Sequence, residues 1–315
     1  NYTTPGIERW VHVNGRQGAQ PVGDPTEYRR PMTQLLACSV RGCGRPLTLS
    51  ARAWTCANGH AFDIARTGYV NLLQPQDRRS AHAGDPTAAI DARGRLLATG
   101  VGSALLSQIV TAITRELSDD QTAVVDLGCG GGEMLGLLSQ VYRGSSLGID
   151  LAVAAVDQAA RRRPGITWVV ANADRHLPLL DHSVDLVTSI HARRNPQECA
   201  RVLKPGGRLI VAVPAADDLV ELREAVFGQR VERERTATVV SEHEALFTLD
   251  SRSEHRERLH LDSGQLSDLL TGTYRGARNA TRDQRDAVEA MTVTLASEIL
   301  LFRARSNDGS AGPGA

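Results

Sequence analysis

Two stretches of this 315-residue chain bring chemically capable residues together at short spacing. In the first, 124–133 (VVDLGCGGGE), an apolar run reaches Asp126 and passes Gly128, Gly130, Gly131 and Gly132 before a helix-forming segment. Glycines at such a turn tolerate positive φ and lack Cβ atoms, so the backbone approaches a ligand closely. A dinucleotide pyrophosphate is cradled by nearly the same device, so the turn alone leaves the cofactor open. In the second stretch, Cys38 and Cys43, then Cys56 and His60, offer three thiols and an imidazole in two knuckles separated by twelve residues. Four soft or borderline donors suit tetrahedral Zn²⁺, and a site filled entirely by protein is structural. A labile redox pair or incidental thiols would present the same residues.

These residues need elements to hold them. From Thr122 the pattern alternates: strand AVVDLG, helix EMLGLLSQV, strand SLGIDL, helix AVAAVDQAARRR, strand ITWVVANA, strand VDLVTSI, the ARVLKPGG helix end and turn, and strand RLIVAVP. Such alternation implies parallel pairing with right-handed crossovers, and ligands then sit beyond the carboxyl ends of the strands. That edge carries Asp126, then Asp150 and Leu151, then Asn172, Ala173 and Asp174, then the loop beginning at His191. Asp150 is placed to accept two ribose hydroxyls, and the Asn172–Asp174 run to address adenine. An Asp after a strand also serves simply as an N-cap, and Cys129 reads as a small packing residue. Together with the LKPGG turn, the stretch resembles the class I methyltransferases, which implies S-adenosylmethionine as cofactor. The expected fold class is α/β, a Rossmann-like doubly wound sheet with an N-terminal zinc-ribbon-like module.

Composition sets the bounds. Hydrophobic residues make up 41% and charged residues 23%, no apolar run approaches the roughly 18 residues of a membrane span, and the net charge is zero. A globally basic nucleic-acid binder is excluded, yet 34–80 carry six Arg against two Asp, and Lys204 is the one lysine. Guanidinium groups suit forked contacts with phosphate and stacking on bases. Five cysteines, an odd number, point to reduced thiols and a cytoplasmic protein. The expected organisation is a flexible extension (1–33), a zinc-binding module (34–80), a connecting helical segment (81–121), a cofactor-binding core (122–225), its C-terminal part (226–305) and a disordered tail (306–315).

The ordered combination of the Cys/Cys/Cys/His knuckle, FDIARTGYVNLL, GDPTAAIDAR, DLGCGGGE and RNP resembles the bacterial 23S rRNA guanine-N1 methyltransferases over roughly 35–225. The resemblance implies that the zinc module recognises RNA, that Cys38, Cys43, Cys56 and His60 are its ligands, and that a guanine of 23S rRNA, free or in the large ribosomal subunit, is the acceptor. Oligomeric state stays open, a homodimer included. N1 of guanine is protonated at neutral pH, so a base is needed. His191 is the candidate, with Asn195 beside it, and Arg78, Arg79, Arg193 and Arg194 are candidates for RNA contact. The arginine run 161–163 reads as a helix end complementing its dipole. Two positions depart from the family: Gly102 stands where a Tyr is common and Asp218 where a His is. A small-molecule S-adenosylmethionine methyltransferase and a non-catalytic RNA- or ribosome-binding protein are the rival readings.

Overall fold

The computed structural model describes residues 35–75, 84–117, 122–228, 230, 232, 234–273 and 280–305. The N-terminal extension, the tail, Arg78, Arg79 and three further sequence candidates for gripping RNA, Tyr274, Arg275 and Arg278, lie outside them.

The core strands form because their residues are apolar on both faces. Strand β5 (Ala123–Leu127) is buried at every position. It pairs in parallel with β6 (Ser145–Asp150) and β8 (Val184–Ile190), β6 with β7 (Thr167–Val170), and β8 with β9 (Leu203–Pro214). Helices α3 (Glu133–Val141), α4 (Val153–Arg162) and α5 (Pro196–Val202) make the crossovers. Strand order reverses on either side of β5, as in a doubly wound sheet, which opens a crevice at its carboxyl edge. The KPGG turn is a loop-out inside β9, between the pairs Val184↔Leu203 and Leu186↔Arg208.

Successive residues feed opposite faces. Val124, Leu186 and Ile210 pack with α3, α4 and α2 (Ser103–Glu116), whose buried Leu105, Ile109, Val110 and Ile113 follow helical spacing. Val125, Val187 and Leu209 pack on the other side with α5, α7 (Thr236–His243) and, unexpectedly, the cysteine module. That module is a three-stranded antiparallel sheet, β1 (Leu47–Leu49), β2 (Ala53–Cys56) and β3 (Ala61–Asp63). Its Leu36, Leu47 and Trp54 share the hydrophobic core of the large sheet. The short β4 (Val70–Asn71) then joins that sheet in parallel beside β7. The zinc-ribbon-like module is therefore continuous with the core.

The C-terminal part extends the sheet with antiparallel β11 (Met291–Ala304) and edge strand β10 (Phe247–Leu261). Only Ser297–Arg303 of β11 pairs with β9, so the β10–β11 ribbon continues about 20 Å past the carboxyl edge. On it a second small core gathers Leu222 of α6 (Val220–Phe227), Leu266 and Leu270 of α8 (Ser263–Gly272), and Leu96 of α1 (Thr87–Ala98). The expected connecting helix is thus half of a cap, held to α8 by the Arg95–Asp268 pair at 2.5 Å. A short α9 (Arg282–Asp286) completes it.

Candidate active site and zinc centre

The glycine turn is shaped by what lies beneath it. Gly128 (φ +70°) faces Ala192 of the loop after β8, and a Cβ there would stand 2.3 Å from the Ala192 Cβ. Gly132 (φ +77°) faces Trp168, and its Cβ would stand 2.3 Å from the indole. Where Gly130 would carry a Cβ the space is open for 4 Å, which is the room a bound cofactor requires. Asp150 fastens the turn: one carboxylate oxygen accepts the Gly130 amide at 2.9 Å, the other the Ala152 amide at 2.8 Å. Each oxygen keeps a lone pair for a ribose hydroxyl. Half-buried Leu151 follows it.

Asp126 differs from expectation. It is 3% exposed and accepts a 2.7 Å hydrogen bond from Thr188, so its carboxyl braces the strands under the turn instead of facing the ligand. Burial pushes its pKa up to about 7. The arginine run is also corrected at one position: Arg163 lies over Gly136 and donates to the Gly131 carbonyl at 2.9 Å, supporting the turn from outside. Sequence reasoning missed both Trp168 and the seat of Gly84, whose Cβ would stand 2.7 Å from the Ala152 nitrogen. Spacing held no signal for either, because their partners are remote in the chain.

Asn172 is buried at the end of β7, its side-chain oxygen accepting the Asp174 amide at 3.0 Å, with Ala173 between them half-buried. Asp174 is engaged by Arg193 at 3.3 Å, so this arginine straps the loops after β7 and β8 together.

A second group of side chains gathers where β8 and β9 end and β11 runs on past them. His191 has φ +51°, uncommon for a residue with a side chain, and its Nε2 shares a 2.9 Å hydrogen bond with Ser297 of β11. His191 is exposed to solvent, and the neighbouring protein together with Arg235 lowers its pKa. It is neutral at pH 7. Asn195, expected beside it in catalysis, is the N-cap of α5: its oxygen accepts the Gln197 and Glu198 amides at 3.0 and 3.3 Å. Arg194, expected on RNA, turns inward and donates to His243 Nε2 at 3.2 Å and to the Ala192 carbonyl at 3.4 Å. Burial lowers its pKa. Asp218 follows β9, one oxygen accepting the Ala296 amide at 3.0 Å, and burial raises it to about 6. Gly102 (φ +82°) caps α2 at the turn after α1, a conformation that a tyrosine adopts only with strain.

The four thiol and imidazole donors converge. Their ligand atoms lie within 4.8 Å of one another, with Cys43 and Cys56 sulfurs 3.9 Å apart and the His60 Nδ1 3.4 Å from those of Cys38 and Cys56. A tetrahedron with Zn–S bonds of ~2.3 Å has S···S edges of about 3.8 Å, so the set fits Zn²⁺. Burial pushes Cys38 up to about 12, and the Arg45 backbone amide draws Cys43 down. Three thiols this close ionise together only beside a divalent cation. Between this knuckle (38–44) and the β7 end lies a cavity of about 410 Å³, bordered by Arg41, Leu72, Asn172 and His176.

Comparison with known proteins agrees with this geometry. The family described as "Methyltransferase domain" matches residues 125–211, and "RlmA, N-terminal", a zinc ribbon, matches residues 37–81. A protein of Micromonospora griseorubida, named as a 23S rRNA (guanine-N(1)-)-methyltransferase, is 33% identical over 290 residues, 85% of this chain and 97% of that one. The 23S rRNA (guanine(748)-N(1))-methyltransferase of Streptomyces fradiae is 34% identical over 244 residues, 77% of this chain and 85% of that one. Among solved structures, the YcgJ protein of Bacillus subtilis superposes with a TM-score of 0.46 at 17% identity, covering 64% of this chain and 97% of that one. With a glycine turn fit for S-adenosylmethionine, a zinc ribbon fused to the sheet beside it and relatives matched over most of their length, this chain belongs to the family of 23S rRNA guanine-N1 methyltransferases.

Proposed function

We propose that this chain transfers a methyl group to N1 of a guanine in 23S rRNA. One observation carries the choice of RNA over a small molecule. The zinc ribbon is fused to the catalytic sheet through β4, and the cavity between them opens beside Asn172 at the cofactor edge. A ribbon serving only stability has no need to border that edge.

Gly128 to Gly132 and Asp150 would hold S-adenosylmethionine, with Asn172, Ala173 and Asp174 at its adenine. The bound cofactor supplies a sulfonium-activated methyl group, so no protein nucleophile is required. The protein aligns the acceptor and manages its proton. His191, neutral and fixed on Ser297, lines the acceptor end and offers hydrogen bonding to a base edge. Arg78 and Arg79 follow the ribbon in sequence and are assigned to phosphate contact. The RNA, free or within the large subunit, makes the enzyme a cytoplasmic one.

The test incubates the protein with methyl-labelled cofactor and unmodified 23S rRNA, including a fragment bearing the hairpin of the guanine named for the S. fradiae relative. N1 methylation blocks Watson–Crick pairing, so reverse transcription should stop at one guanine. Label in metabolites and none in RNA would overturn the assignment.

A further inference from the structure

We propose that Asp218 is the catalytic base that removes the N1 proton, and that His191, Ser297 and Arg235 hold the guanine against it. The inference rests on the guanine-N1 reading and assigns its proton.

Comparison of six carboxylates about the carboxyl edge points there. Both oxygens of Asp150 hold backbone amides. Asp126 lies beneath the turn on Thr188. Asp174 is paired with Arg193, and Asp217 with Arg256. Glu221 places one oxygen on the Thr294 hydroxyl and the other on the Thr294 amide. Asp218 has one oxygen fixed, on the Ala296 amide, and a second that receives no hydrogen bond among the described residues; Asp126 and Asp174 are also bonded through one oxygen, but Asp126 lies beneath the turn and Asp174 is held in an ion pair, whereas Asp218 forms none among the described residues. A carboxylate held by one oxygen and open at the other is oriented and still able to take a proton.

Its neighbours suit that task. Ala296, which fixes Asp218, precedes Ser297, which fixes His191, so adjacent residues of β11 set both side chains at the same end of the crevice. The base and the histidine come from the ends of neighbouring strands β9 and β8. Arg235, the N-cap residue of α7, has its charge felt at both His191 and Asp218 and makes no ion pair among the described residues. A cation there opposes the negative charge that grows on guanine O6 as N1 loses its proton. The other charged groups acting on Asp218 are Arg223, whose guanidinium hydrogen-bonds the Asp218 carbonyl, and Asp217. Burial raises Asp218 to about 6, toward the working pH, which suits a carboxylate that accepts a proton.

The step balances. The N1–H proton passes to the free Asp218 oxygen, and the N1–H electron pair becomes the N–CH₃ bond. The carbon–sulfur pair departs with sulfur as a neutral thioether. A sulfonium and a carboxylate thereby become a thioether and a carboxylic acid.

Single-turnover methylation of the rRNA fragment, at saturating cofactor and RNA, tests this in wild type, Asp218→Asn, Asp218→Glu and Ser297→Ala. Asp218→Asn should slow transfer by about 10²–10⁴-fold while the cofactor dissociation constant, measured calorimetrically, stays within about twofold. Asp218→Glu should recover part of the rate. The wild-type rate should fall tenfold per pH unit below about 6, and Ser297→Ala should slow transfer while keeping that limb. An Asp218→Asn rate within threefold of wild type overturns the proposal. So does a wild-type profile flat between pH 5 and 7, whatever the variants' folding. Wild-type protein that binds RNA and forms no N1-methylguanine would overturn the functional reading instead.

Discussion

Gly132 combines a left-handed backbone with a volume already claimed by Trp168. Gly132→Ala should therefore cost about 1–3 kcal/mol of stability and weaken cofactor binding at least about tenfold, read by calorimetry. His243 makes a second residue-scale case. It is fully buried, accepts from Arg194, and stacks on Phe302 at 5.1 Å between centroids. Burial and then Arg194 push it down to about 4, below the ~6.5 of an unfolded chain. The unfolded state therefore binds the proton first, so His243's contribution is intact above about 6.5 and lost as pH falls toward 4. His243→Gln should lose less melting temperature than wild type across that interval. At this scale, the four ligands and the place of Asp150 at the end of the strand beside the glycine turn were legible because their partners are near in sequence or fixed by strand order. Arg194 and Asn195 were not. Arg194's partner lies 49 residues away, and Asn195 reads equally well as a catalytic amide and as a cap.

The core strands and crossover helices were legible as elements, since β5 to β9 are largely apolar runs that alternate with helix-forming segments. β10 was not, because only its two ends are buried and its middle is Ser, Arg, Glu and His, as befits an exposed edge strand. The cap was hidden for a related reason: α1 and α8, the two helices that meet there, stand more than 160 residues apart. Leu266 sits in that small core fully buried. Leu266→Ala should cost about 2–5 kcal/mol, speed hydrogen exchange in α1 and α8 ahead of β5, and slow methylation more than it weakens cofactor binding. Equal exchange in cap and sheet would refute a separately stable cap.

Over the whole molecule the net charge is zero, and the local excess of about four charges over 34–80 is the main electrostatic handle on RNA. Affinity for a single-stranded rRNA fragment should accordingly fall with salt at a modest slope of about −3 on log–log axes. A slope near −8 would point to a second basic surface. The most far-reaching feature is also among the smallest. Val70 and Asn71 pair with Val169 and Val170, so the strand that follows the zinc ribbon is hydrogen-bonded to the strand that leads into the Asn172 loop. Two ligands that never touch are joined by one backbone ladder. Thermodynamic reciprocity then requires that any factor by which zinc loss weakens cofactor binding be the factor by which the cofactor tightens zinc. Chelator titrations with and without saturating cofactor, set against cofactor titrations of metal-free and metal-loaded protein, should return the same ratio.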